Sequence, residues 1–187
     1  MARTDVPATD WISQMRLRIP AILVIVPLLS GCFLSDAPLI TEETADYPFM
    51  RMNYEAYPSE RFVYTPDGPD TTDTLILRDG VYRLTAEADR AAEILVRHVG
   101  DGLYIIQLMP GGADDPYLYF AATLDRDEMR IVLHRAEALP GDFRPGAAEC
   151  EPEIACLSDI GVLADIARES IAAGERPVAW LDIFELH

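Results

Sequence analysis

The chain has 187 residues, 15 Lys+Arg against 32 Asp+Glu, a formal net charge of −17 and 3 Cys. Neutralising a phosphate backbone needs a positive surface, so this excess of carboxylates excludes a basic nucleic-acid binder. A composition 50% hydrophobic and 25% charged excludes collagen-like and disordered chains, and the length suits one domain.

The first element is a leader. Met15-Arg16-Leu17-Arg18 is basic, Ile19 to Leu29 is uncharged and apolar, and Leu29-Ser30-Gly31-Cys32 follows. Charges that stay cytoplasmic ahead of an apolar run that enters the translocon are the layout of a secretory signal. Residues 1–14 carry Asp5 and Asp10, which such a basic region does not favour, so Met15 is the expected start. A retained spanning helix is the rival reading, but Ile19 to Ser35 is interrupted by Pro20 and Pro27 and falls short of the ~20 residues a span needs.

An apolar residue, two small residues and a cysteine in that order resemble the lipobox of bacterial lipoprotein precursors. The resemblance implies that the Cys32 thiol receives a diacylglycerol and that cleavage falls between Gly31 and Cys32. It also implies that the new amino group is often acylated. Each buried methylene contributes about 0.8 kcal/mol, so two or three chains hold where one holds only marginally. In such proteins from enteric-type bacteria, Asp directly after the cysteine favours the inner membrane. Phe33 stands there instead, so the expected address is the outer membrane, facing the periplasm.

Lipid on Cys32 leaves Cys150 and Cys156 as a pair in an oxidising compartment. Their spacing is neither Cys-x-x-Cys nor a zinc knuckle, so a structural disulfide is expected, contributing ~2 kcal/mol. The leader holds Arg3, Arg16 and Arg18 against Asp5 and Asp10, which leaves −18 on residues 32–187. Anionic headgroups repel that charge, so lipid must do the holding.

Residues 32–59 read as a lipidated tether, able to extend about 90 Å at ~3.3 Å per residue. Its aromatic second half, Tyr47 to Tyr57, is expected to pack along the domain edge or to act as a partner-binding arm. Residues 60–187 read as one globular α+β domain. Arg61 to Thr65 is a candidate strand. Thr74 to Arg78 and Val81 to Thr85 flank Asp79-Gly80, a type I′ turn signal. Glu93 to Val99 and Leu103 to Met109 flank Gly100-Asp101-Gly102, and Tyr117 to Leu124 and Met129 to Arg135 flank an acidic turn. These hairpins predict an antiparallel β-meander of about six to eight strands, and several strands are apolar on both faces.

One C-terminal helix is expected to cover a face. Ser158 is its predicted N-cap, Gly174 its stop, and Ile160, Leu163, Ile166, Ala167 and Ile171 its apolar stripe. Val178 to Leu186 then reads as a closing strand. A small β-barrel with an attached helix is the alternative architecture.

Little in the domain carries chemistry. No serine sits in Gly-x-Ser-x-Gly or Ser-x-x-Lys, and the chain has no lysine. His98 and His134 lie near strand ends and are the candidates for an acid/base or metal role. Asp67, Asp70 and Asp73, and the pair Asp114-Asp115, lie in turns without an EF-hand spacing, so solvated turns are the simpler reading over a calcium site. Tyr104, Tyr117, Tyr119, Phe120 and Trp180 fall on strands, as core pairs or as the lining of a small apolar or peptide site. The expected function is a lipid-anchored envelope lipoprotein, a non-catalytic binding or structural module without cofactor or metal. Its expected partners are the membrane through the acyl chains on Cys32 and an envelope protein or small apolar ligand, with no nucleic acid. A small envelope enzyme or metal-binding module using His98 and His134 with carboxylates is the alternative.

Overall fold

The computed structural model describes residues 33–58, 71–84, 93–109, 115–134, 142–151 and 154–187. In chain order these form β1 (Phe33–Ser35), β2 (Arg51–Pro58), β3 (Thr71–Arg78), β4 (Val81–Leu84), β5 (Glu93–His98) and β6 (Leu103–Met109). There follow β7 (Tyr117–Asp125), β8 (Arg130–His134), β9 (Ala147–Glu151), β10 (Ile154–Leu157), α1 (Ile160–Ala172) and β11 (Ala179–Leu186). The expected strand Arg61 to Thr65 and the aspartates Asp67, Asp70 and Asp114 lie outside the described residues.

The predicted hairpins form. Arg78 pairs with Val81 across a two-residue turn in which Asp79 and Gly80 have φ of 50° and 80°, the left-handed pair a type I′ turn requires. Gly100, Asp101 and Gly102 take φ of 96°, 55° and 71° between β5 and β6. At the third turn Asp125 Oδ1 accepts the backbone N–H groups of Asp127 and Glu128, at 2.9 and 3.0 Å.

The meander closes on itself, which fits the barrel alternative and matches the expected α+β meander with one helix only in part. Strands β2 to β8 pair antiparallel in sequence order, and β11 pairs with both β8 and β2. Eight strands thus form a barrel whose edges are satisfied by one another. Closure depends on the segment read as a tether. In β2, Met52, Tyr54 and Ala56 face the lumen and alternate with Arg51, Asn53 and Glu55, a half-buried strand pattern. Upstream, β1 pairs with β7 on one side and β10 on the other, and Phe33 is fully buried. Arg51 to Pro58 is therefore barrel wall and Phe33 to Ser35 a paired strand, where a linker was expected.

The lumen is filled by Phe49, Met52, Tyr54, Leu75, Tyr82, Val96, Ala122, Ile131 and Ile183, as an eight-stranded barrel of this girth allows. Phe49 and Tyr82 pack with ring centroids 4.6 Å apart and planes tilted by 36°, and the Tyr82 hydroxyl donates to the Phe49 carbonyl at 2.7 Å. Burial pushes that phenol up to about 12.

A second core lies outside the wall. Leu95, Leu103, Ile105, Tyr119 and Ala121 alternate outward and are covered by Phe33, Ala155, Leu157 and the helix residues Leu163, Ala164, Ile166 and Ala167. This explains why β6 and β7 are apolar on both faces. Burying Leu163 and Ile166 contributes about 1.5–3 kcal/mol each. The N-cap is Asp159, not the predicted Ser158: its Oδ1 accepts the Gly161 N–H at 2.8 Å. The stop at Gly174 holds, with φ of 69° and a Schellman pair of bonds, Glu175 N–H to Ser170 O and Gly174 N–H to Ile171 O. Ile171 leaves the predicted stripe at 41% exposure, because Ser170 occupies the inward position.

Candidate functional site

The place with unusual architecture is a fork in the wall beside β7. Residues Ala121 to Asp125 pair with β8, whereas Tyr117 to Tyr119 pair with β1. At Phe120 the barrel continues into β8 and a three-stranded flap, β1–β10–β9, departs. The β1–β10 pairing is the one parallel contact among the described strands.

The two faces of this fork differ. On the helix side, Ala155, Phe33, Tyr119 and Gln107 sit side by side across four strands, each fully buried. Gln107 Oε1 accepts the Leu39 and Ile40 N–H groups at 3.0 and 2.8 Å and the Tyr119 hydroxyl at 2.9 Å, while its Nε2 donates to Ile40 O at 3.0 Å. Tyr119 also accepts the Leu39 N–H at 2.9 Å, and burial pushes its phenol up to about 12. The amide and phenol clamp the backbone of residues 37–40 onto the wall. On the opposite face Cys156, Leu34, Leu118 and Leu108 form the corresponding row, all half-buried, with Phe120 beside them. Leu34, Leu108, Leu118 and Phe120 belong to neither core.

Cys150 and Cys156 are joined across β9 and β10, with Cα atoms 5.6 Å apart. Cys150 lies where the register shifts beside Ile154 and Ala155. The bond staples the flap next to Leu34, the register partner of Cys156. Gly31 and Cys32 lie outside the described residues, but Cys32 is covalently joined to the buried Phe33.

The histidines do not meet, since β6 and β7 stand between their strands. The His98 ring is exposed and lies 4.9 Å from that of Tyr104; Asp46 Oδ2 accepts its backbone N–H, not a ring proton. His134 is half-buried, with Nε2 2.8 Å from Thr123 Oγ1, and burial holds its pKa below the ordinary value. Among the described residues no three His, Cys, Asp or Glu side chains come together as a metal set. Asp73 opposes Tyr54 in the barrel, and together with burial its charge raises the Tyr54 phenol. Asp115 is exposed. A shallow groove of ≈ 430 Å³ beside the Gly100–Gly102 turn is lined by Asp101, Thr123, Asp125, Arg126 and Asp127. Two backbone N–H groups already occupy Asp125 Oδ1.

The aromatic residues divide between packing roles. Tyr104 packs against the lumen core, Tyr117 against the outer core, and Trp180 stacks on Tyr57 with ring centroids 5.5 Å apart. Sequence reasoning missed Phe33 and Gln107. The signal for the second was a lone amide in the apolar run Leu103 to Met109, a side chain that must find buried partners.

Compared with protein-family models, curated proteins and solved structures, the chain matches none. Among the described residues no helix is long and apolar enough to cross a membrane.

Proposed function

We propose that this chain is an exported bacterial lipoprotein, anchored through acyl chains on Cys32 at the periplasmic face of the outer membrane. Its barrel serves there as a non-catalytic binding or structural module. The observation that carries this is the order of four features: a basic start, an apolar run, Leu29-Ser30-Gly31-Cys32, and the first described strand starting one residue later. Every described strand and the helix lie beyond Gly31, so removal of the leader takes nothing from them. The charge of the remaining chain makes lipid, not headgroup attraction, the holding force. The disulfide between Cys150 and Cys156 suits an oxidising compartment.

The test is Cys32→Ser expressed in a bacterium carrying lipoprotein-processing enzymes. Wild type should incorporate labelled fatty acid and lose the leader up to Gly31, whereas the variant should do neither. Fatty-acid incorporation unchanged in the variant contradicts the proposal.

A further inference from the structure

We infer that the barrel lumen is a cup for one long alkyl chain with an uncharged head group, entered from the end at which β2, β4, β6 and β8 finish. The inference rests on the binding-module reading just proposed, to which it gives a site and a ligand class. It does not depend on the anchor.

The register sets the girth. One inward row leads from Met50, whose carbonyl accepts the Leu77 N–H, through Tyr82, Ile94 and Leu108 to Leu118 on β7. The other way round the barrel, a row leads from Pro58 on β2 through Ala179 and Leu133 to Ala122 on β7. The two rows miss by eight residues along β2 and by four along β7, so the closed sheet is staggered by twelve residues. At ~3.3 Å per residue and ~4.8 Å between strands, that stagger tilts the strands by about 46° and gives a backbone radius of about 9 Å. A stagger of eight would give about 7.5 Å, a lumen that side chains fill more readily.

The described side chains fill only part of this width. The lumen core of Met52, Tyr54, Leu75, Tyr82 and Val96 crosses the middle. At the end where Pro58, Leu84, Met109 and His134 finish their strands, the inward layer is Leu84, Ile94, Leu108, Leu118, Leu133 and Leu181, each half-buried. Leu34 carries that layer onto β1, in register with Leu118. Leu34, Leu108, Leu118 and Phe120 face inward in the rows of Tyr82 and Val96, yet they belong to neither core. Inward side chains that stay half-accessible and pack on no buried group face space inside the wall.

That space suits hydrocarbon. Leu34, Leu108, Leu118 and Phe120 offer no hydrogen bond, so a polar group placed among them would be desolvated without a partner. The ligand's polar part therefore stays at the mouth. Charge selects the head group. Asp73 faces inward opposite Tyr54, and residues 32–187 carry −18, so a carboxylate or phosphate head meets repulsion that a hydroxyl does not.

The experiment uses the full chain, purified and reconstituted in phosphatidylcholine vesicles. It is irradiated with hexadecanol bearing a diazirine at its terminal carbon, and adducts are located by mass spectrometry of peptides. Adducts are expected on the segments holding Leu108, Leu118 and Phe120, reduced about tenfold by an excess of plain hexadecanol and by less than about twofold by hexadecyl phosphate. Leu118→Trp fills the cup and should reduce labelling at Leu108 about as far as hexadecanol does. Leu108→Trp, read at Leu118, serves should Leu118→Trp fail to fold.

No adduct on these segments, or adducts that neither competitor nor tryptophan reduces, overturns the cup. Equal competition by hexadecyl phosphate overturns the uncharged head group. The same spectra read Cys32 and so separate this inference from the anchoring. A bare Cys32 with a labelled lumen overturns the anchor alone, and an acylated Cys32 with an unlabelled lumen overturns the cup alone.

Discussion

The lumen core and the outer core are of similar extent but are assembled in different ways. Within the lumen, Leu75 and Tyr82, Val96, Ala122 and Ile131 come from strands joined by short turns, and their partners are near in sequence. The outer core brings Phe33 and Ile40 against Ala155, Leu163 and Ile166, more distant along the chain. It also buries an amide beside its phenol, Gln107 with Tyr119, whereas the lumen holds a passing backbone with a phenol alone, Tyr82 on Phe49. Apolar packing alone tolerates sliding. An amide with every partner satisfied fixes which residues of a passing segment lie over it.

The strongest way to break this comparison is Phe33→Ala. If the flap and helix form half of one cooperative fold, removing a fully buried phenyl ring should lower the unfolding free energy in urea by about 3–5 kcal/mol, in a single transition. A loss of ~0.5 kcal/mol, as for a surface substitution, would make the flap an accessory to an independently stable barrel.

Gln107→Leu sharpens the comparison. It keeps the volume roughly constant but leaves the Leu39 N–H, the Ile40 N–H and carbonyl, and the Tyr119 hydroxyl short of a partner. Each orphaned buried group costs about 1–3 kcal/mol; Leu39 keeps Tyr119 and the Tyr119 hydroxyl keeps Ala37 O, so the two Ile40 groups set an expected net loss of about 2–6 kcal/mol. Amide exchange at Leu39 and Ile40 should accelerate before that of β5 or β6. Unchanged exchange there would show that the strap is held by apolar contact alone.

How much was legible in the sequence follows the same division. Asp79-Gly80 and Gly100-Asp101-Gly102 encode left-handed turns within a few residues, so the hairpins and their register could be read directly. The helix was legible from its spacing and from Gly174, although Asp159 displaced Ser158 as cap because both are competent and only geometry chooses. Closure was not legible. It pairs Trp180 with Tyr57 and Ala179 with Pro58, and nothing local in Arg51 to Pro58 states that its partner lies at the other end of the chain. Three residues of β1 are too few to show alternation, and prolines at 38, 48 and 58 made a linker the natural reading. At the candidate site, Cys150 and Cys156 were legible by parity, whereas the Leu34–Leu118–Leu108 row requires the register to be known.

The smallest expected effect lies where β8 parts from β1, at His134. Burial lowers its pKa from the ordinary 6.5, so the folded chain resists a proton that the unfolded chain accepts. Its contribution is therefore complete above pH 6.5 and declines as pH falls below that value, until the folded ring also protonates. Urea midpoints measured from about pH 7.5 down to about pH 5 stay above most carboxylate titration and so isolate this ring. His134→Gln retains a group able to bond Thr123 Oγ1 but cannot titrate, and should flatten the profile over that range. An equally steep decline in the variant would assign the acid sensitivity to the carboxylates instead. It would then place the fork of the wall, unlike the clamp at Gln107, outside the groups that govern stability near neutrality.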